Sequence, residues 1–428
     1  MLKHRFRRYS VALLFVMMLQ VIAPVINQVS AAEQPALGLN VKSAILMDAE
    51  TGQILYKENH DVGRPPASMA KMMTEYLVME EIASGRLSWD DMIYTPKAAR
   101  DAGGSGQLMA EGKSYNAKQV FELLSIYSGN DAAVAFAYHI AGSEEEFAKL
   151  MNETAKKIGL SDKAYFINAT GLPRADMKDY APASLPGETQ MTAEDAAKLA
   201  RAIIHEHPEV LEFTKIPSKK FQETDKEPMI NWNWMVEGNK DSTNLKQYAY
   251  EGLDGLKTGH TSAAGYNFTG TAERNGMRLI SVVMGAENNA ARFAETRKLL
   301  DYGFNTFEKR TILAAKTEIP EVPTVRIRNA VKLDVPVVLG EGVQLIVKKS
   351  EEAVPEITEV TFLPEDQLQA PMDAQTQVGT AKVTYGEHQI EVPVIVAENV
   401  EKASWFKMLM RSIGGFFSGL FNGIVNLF

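Results

Sequence analysis

Apolar and polar positions follow three different textures along this chain of 428 residues. The first mixes strand and helix periods. Ala44 to Met47 and Ile54 to Tyr56 are strand-like runs around Glu50-Thr51-Gly52, which predicts a hairpin over residues 42–58. From Ser68 to about Ser84, apolar residues recur at Met72, Met73, Tyr76, Leu77, Met79 and Ile82, the spacing of a helix. Helical stretches with breaks are expected over 117–141, 144–158 and 192–205, with a turn-rich loop at 166–173. After Gly255 the strand period returns. Runs at 265–271 and 277–284 flank Asn275-Gly276, a strong hairpin-turn dipeptide, and a last helix covers about 290–302. Strands at both ends with helices inserted between them predict an α+β domain over residues 33–312, its antiparallel sheet assembled from distant segments.

The second texture begins near Thr317. Short alternating runs at 325–327, 331–333, 343–347, 360–363, 381–385 and 389–396 are punctuated by Pro and Gly, which predicts a small all-β sandwich over 313–400. The third texture is terminal, over 401–428. Phe406, Leu409, Ile413, Phe416, Leu420, Ile424 and Leu427 recur at helical spacing, while Lys407, Arg411, Gly415, Ser418, Asn422 and Asn426 fall opposite. That is an amphipathic helix with aromatic residues on its apolar side, suited to lie in a membrane interface. Docking on the protein's own core is the competing reading.

The first residues change the picture further. Lys3, Arg5, Arg7 and Arg8 precede an almost wholly apolar run from Val11 to Ile26, and Ser30-Ala31-Ala32 offers small residues for a peptidase. Residues 1–32 therefore read as a secretion signal, with an uncleaved anchor as the alternative. The net charge of −9, with no basic block beyond the first eight residues, argues against a nucleic-acid partner. With no cysteine in the chain, disulfides, thiolate catalysis and cysteine-ligated metal are excluded.

Three short signals carry candidate chemistry: Ser68-Met69-Ala70-Lys71, Ser128-Gly129-Asn130 and Lys257-Thr258-Gly259. Ser68 follows Arg64-Pro65-Pro66-Ala67 and precedes a helical run, so it is placed in the first helical turn with Lys71 three residues on. A serine hydroxyl is a weak nucleophile until a base takes its proton, and a lysine serves as that base only when uncharged. Burial beside methionines and the positive end of a helix dipole would both favour the uncharged amine. Each signal alone has a plain structural reading. Ser68 would be a helix cap; Ser128-Gly129-Asn130, a helix-breaking turn; Lys257-Thr258-Gly259, a solvated strand end. Their order and context, at a helix start, an interhelical loop and a late strand, favour one shared site.

These motifs make the chain resemble the penicillin-recognising serine enzymes, and within them the low-molecular-mass penicillin-binding proteins, serine-type D-alanyl-D-alanine carboxypeptidases anchored by a C-terminal amphipathic helix. Lys257 to Thr261 running on to Ala264-Gly265-Tyr266-Asn267, and Asn168 to Pro173, are similar to that branch. The resemblance implies that Ser68 attacks the carbonyl between two D-alanines with Lys71 as base. Ser128 would pass the proton to the leaving D-alanine, positioned by Asn130 and helped by Lys257. The backbone amides of Ser68 and His260, across Gly259, would form the oxyanion hole. Thr258, Lys257 and Arg292 would hold the terminal carboxylate, although an arginine beginning a helix near Glu295 reads by itself as a surface ion-pair residue. No metal or organic cofactor is implied. The implied partners are peptidoglycan pentapeptide stems, β-lactams as inhibitors, and the outer face of the cytoplasmic membrane. Class A β-lactamases typically carry aspartate where Gly129 stands here, and a deacylating glutamate on a later loop; residues 166–173 contain no carboxylate. A β-lactamase, a D,D-endopeptidase and a non-catalytic wall-binding protein are the alternatives.

Overall fold

A computed structural model describes residues 35–413, so the expected signal at 1–32 and residues 414–428 of the expected terminal helix lie outside the described residues. A single compact unit begins at Leu39 and holds the elements of the fold. The hairpin forms as β1 (Ser43–Asp48) and β2 (Ile54–Glu58). At the far end of the domain, β3 (Leu253–Thr261), β4 (Gly265–Arg274) and β5 (Met277–Ala286) complete an antiparallel sheet in the order β2-β1-β5-β4-β3. Val282 of β5 faces Ile45 of β1 on one side and Thr269 of β4 on the other, so segments from opposite ends of the domain share one core. Asn275 and Gly276 adopt φ of 52° and 73° between paired Arg274 and Met277, the two-residue turn that their side chains favour.

Helices fill the interval. α1 (Lys71–Ala83) is preceded by a 3-10 turn, Ala67–Ala70. Every residue of α1 from Lys71 to Met79 is buried, so this is the central helix, enclosed on all sides rather than amphipathic. The expected stretch 117–141 is two helices, α2 (Ala117–Tyr127) and α3 (Asn130–Ala141), broken at Ser128-Gly129. α4 (Glu144–Lys157) starts where the Ser143 hydroxyl accepts the Glu146 N–H at 3.1 Å. α5 (Ala193–Glu206) starts with a capping box between Thr192 and Asp195. α6 (Asn289–Thr306) packs on the sheet and is capped by Asn288.

A β-rich part succeeds the helices. β6 (Phe307–Leu313) leads out of α6, and β7 (Thr324–Arg326), β8 (Asp334–Leu339), β9 (Val343–Lys348), β10 (Glu356–Phe362), β11 (Gln377–Tyr385) and β12 (His388–Val396) come after it. Five strands pair in the order β7-β8-β12-β11-β10, and β6 pairs with β9. Their inward positions, among them Val337, Val383, Val392 and Val394, form a separate apolar core. The run at 331–333 is a bend, not a strand. Its backbone is engaged from the C-terminal side instead: the Val331 N–H donates to Glu401, and Arg411 donates to the carbonyls of Ala330 and Val331. Residues 405–413 are helical, and Trp405, Phe406, Leu409, Met410 and Ile413 are exposed along them. Among the described residues no helix is long and apolar enough to cross a membrane.

Candidate active site

Ser68 and Lys71 meet because of the short helix type before α1. In a 3-10 turn three residues complete one turn, so positions i and i+3 eclipse. Lys71 Nζ accordingly lies 3.0 Å from Ser68 Oγ. The helix proper begins at Lys71 rather than at Ser68, and the Ser68 hydroxyl caps no backbone N–H. Two glycines allow this turn to be clamped. A Cβ at Gly259 of β3 would sit 3.2 Å from the Ser68 nitrogen and would overlap the Pro66 carbonyl. A Cβ at Gly171 would overlap the Ala67 carbonyl. Asn267 of β4 donates to the carbonyls of Pro65 and Pro66 at 3.1 and 3.2 Å, fixing the entry to the turn.

The 166–173 loop is organised by one side chain. Asn168 Oδ1 accepts the N–H groups of Thr170 and Gly171, and its amide donates to the Leu172 carbonyl at 2.8 Å. This delivers the Thr170 carbonyl to Lys71 Nζ at 2.9 Å. A neutral amine has two N–H bonds and one lone pair. With one N–H spent on Thr170, the lone pair is free to face Ser68.

Ser128 closes α2 in the left-handed region, at φ 60° and ψ 36°. That conformation is uncommon for a residue bearing a Cβ, and it points the hydroxyl inward to Lys257 Nζ at 2.7 Å. Gly129 has no room for a side chain, since a Cβ there would lie 2.7 Å from Leu123 Cγ. Asn130 heads α3: its N–H donates to the Ser105 carbonyl at 2.8 Å and its amide to the Gly103 carbonyl. Its Oδ1 is buried without a partner. Segments far apart in the chain thus bring two serine–lysine pairs together.

Both serines line one cavity of about 300 Å³, with Thr258, Gly259, His260 and Arg292. Lys257 is not among its lining residues; its ammonium lies behind Ser128. Arg292 is 3% exposed, its Nη1 is 3.4 Å from the carbonyls of Gly259 and Asn267, and Glu295 pairs with Lys298 instead. The surface ion-pair reading of Arg292 is therefore not what the fold produces. His260 stacks on Tyr266 at 4.0 Å. Residues that sequence reasoning missed also line the cavity: Ser105, Trp232 and Asn289. Trp232 is half-exposed and held by its indole N–H on the Tyr127 carbonyl at 3.1 Å. Nothing in local periodicity marks it, since its place depends on Tyr127, 105 residues earlier. A larger cleft of about 790 Å³, near Arg274 and Lys309, contains none of the three motifs.

Burial sets the charges. It pushes the Lys71 amine well below the usual lysine range; Lys257 adds to this, and Glu75, Asp131 and Glu144 oppose it. Burial alongside buried methionines was foreseeable; the second amine supplied by β3 was not. Lys257 is lowered too, by burial first and by Arg292, with Glu75 opposing. Burial lowers Arg292 to about 9, which leaves it cationic near neutrality. His260 is lowered by burial and by Arg292. The site thus sets one hydroxyl against an amine that burial disposes to lose its proton, a second hydroxyl against another buried amine, and a buried guanidinium beside them.

Residues 28–288 match the D-alanyl-D-alanine carboxypeptidase family, and residues 307–402 match the C-terminal domain of penicillin-binding protein 5. The chain is 32% identical to the D-alanyl-D-alanine carboxypeptidase DacF of Bacillus subtilis, over 88% of this chain and 90% of that one. A peptidoglycan synthesis regulatory factor (PBP3) from Streptococcus pneumoniae superposes with a TM-score of 0.73 at 28% identity, covering 85% of this chain and all of that one. Penicillin-binding protein D2 from Listeria monocytogenes, solved with ampicillin bound, is 34% identical with a TM-score of 0.53, over 63% of this chain and all of that one. With two serines on one cavity, each in hydrogen-bond reach of a buried lysine, and a β-rich second part, the chain belongs to the family of serine D-alanyl-D-alanine carboxypeptidases, the hydrolases that act on peptidoglycan stems.

Proposed function

We propose that Ser68 is the nucleophile of this carboxypeptidase and Lys71 its base, acting on the terminal D-alanyl-D-alanine bond of a pentapeptide stem. The observation that carries this reading is the 3.0 Å approach of Lys71 Nζ to Ser68 Oγ beside the 2.7 Å approach of Lys257 Nζ to Ser128 Oγ. As Ser68 Oγ bonds to the carbonyl carbon, its proton passes to Lys71. The carbonyl electrons move onto oxygen, which faces the backbone amides of Ser68 and His260. When the C–N bond breaks, a proton reaches the leaving amine through Ser128, polarised by Lys257. Thr258 and Arg292 take the substrate's terminal carboxylate, with Lys257 adding positive charge behind them. Water then cleaves the acyl-enzyme ester and Ser68 recovers its proton.

β-Lactams, which present a strained amide in the same place, acylate Ser68 and leave slowly. The 166–173 loop supports slow release, because it offers Lys71 a carbonyl and no carboxylate that would activate water. Incubating the protein with diacetyl-lysyl-D-alanyl-D-alanine should release free D-alanine, and prior penicillin should stop it. Adduct formation without D-alanine release would point to a non-catalytic binder, and rapid return of hydrolysed penicillin to a β-lactamase.

The enzyme works outside the cytoplasm, led there by residues 1–32 and held on the outer face of the cytoplasmic membrane by the amphipathic segment 401–428. The exposed apolar side chains along 405–413 support this. Ending the chain at residue 402 should shift the enzyme from the membrane fraction to the soluble fraction with its D-alanine release unchanged. Retention in the membrane fraction would refute the anchor.

A further inference from the structure

Glu75 is a buried carboxyl group with no part in the acylation and deacylation steps. It lies four residues beyond Lys71 on α1, so the two side chains leave the same face of the helix. Glu75 is completely buried, and neither of its oxygens lies in hydrogen-bond geometry with a donor among the described residues. The buried Ser125 hydroxyl on α2, three residues before Ser128, is the uncharged group that acts on it. A carboxylate enclosed in this way persists only beside compensating charge. Burial pushes the Glu75 carboxyl up to about 7, and Lys257 of β3, the Ser125 hydroxyl and Lys71 of its own helix pull against that rise.

The remaining charges are distributed unevenly. Lys71 is drawn toward its charged form by Asp131 of α3 and Glu144 of α4 as well as by Glu75. Burial lowers Lys257, Glu75 supports its charged form, and Arg292 of α6 opposes it. Asp131 is held by the N–H groups of Leu108 and Met109 at 2.8 and 3.0 Å, and Glu144 by that of Ala169 at 3.1 Å. Among the described residues no backbone N–H holds Glu75; Lys257, the Ser125 hydroxyl and Lys71 act on it.

We propose that Glu75 is a positioning residue whose carboxylate keeps Lys257 cationic, and so keeps Ser128 on an ammonium, while Lys71 is left as the uncharged amine beside Ser68. The Glu75 carboxylate offsets the buried charge of the Lys257 ammonium. The proposal rests on the reading of Lys71 as base. It is tested by the pH dependence of kcat/KM for D-alanine release in wild type, Glu75→Gln and Glu75→Met; methionine requires no hydrogen-bond partner in an enclosed site. Loss of the negative charge lowers the pKa of Lys257, so the alkaline limb should move toward acid by at least about one pH unit. Each unit is a tenfold loss on that side. Glu75→Asp should restore the limb. Unmoved limbs, or a uniform fall at every pH, would overturn the proposal. The unaltered protein gives an independent reading. With 13C-labelled lysine, the Lys257 resonance should titrate in two steps, since coupled groups share macroscopic pKa values; a single step would count against Glu75. Failure of the underlying reading is a separate result: normal penicillin labelling of Lys71→Ala, whatever the Glu75 variants do.

Discussion

Ser68→Ala is expected to give a folded protein that forms no ester with penicillin and releases D-alanine roughly 10³- to 10⁶-fold more slowly, the range for loss of a covalent nucleophile. The structure separates this outcome from a mere loss of stability. A serine that caps a helix contributes about 1 kcal/mol when its hydroxyl bonds a backbone N–H. The Ser68 hydroxyl makes no such bond, and its partner is Lys71. Removing it leaves the turn held by Asn267 and by the close approach of Gly259 and Gly171. Intact-mass spectrometry after penicillin exposure reads the adduct, and thermal unfolding should show a Tm close to wild type. A penicilloyl mass on the alanine variant would move the nucleophile to another residue.

Lys71→Ala is expected to slow penicillin acylation by about 10²- to 10⁴-fold, the usual contribution of a positioned general base. This variant also costs stability. It opens a cavity on the central helix and strands the Thr170 carbonyl, each worth about 1–5 kcal/mol. Circular dichroism and a lowered but cooperative transition should show that the fold survives. The pH dependence gives the sharper reading. With Lys71 as the proposed base, wild-type acylation should rise with pH through the depressed pKa of Lys71 and fall when Lys257 loses its proton. Lys71→Ala should lose the rising limb and keep the falling one. A rising limb at the same pH in the variant would assign it to another group.

The hairpin over 42–58, the Asn275-Gly276 turn and the α+β order were legible because each rests on neighbours in sequence. Turn residues with positive φ, strand alternation and caps such as Thr192 with Asp195 act within a few positions. The three motifs were legible for a similar reason: each is a short run whose residue types carry chemistry. Other features were not. The run at 331–333 alternates like a strand, yet Arg411 and Glu401 claim its backbone. Arg292 reads by its neighbours in sequence as a surface cation and joins the site only through the family resemblance; in the fold it is buried.

The sequence by itself determined which groups this protein possesses and in what order: two serines, two lysines, an asparagine and a glycine at fixed local spacings. It also determined the helices and strands that carry them. Tertiary structure alone decided their states. Lys257 reaches Ser128 across 129 positions, Thr170 reaches Lys71 across 99, and Trp232 reaches Tyr127 across 105. Burial, which lowers both amines and isolates Glu75, is a property of the closed core. Periodicity reports which face of an element is apolar; it carries no information about which distant charge will share that face once water is gone.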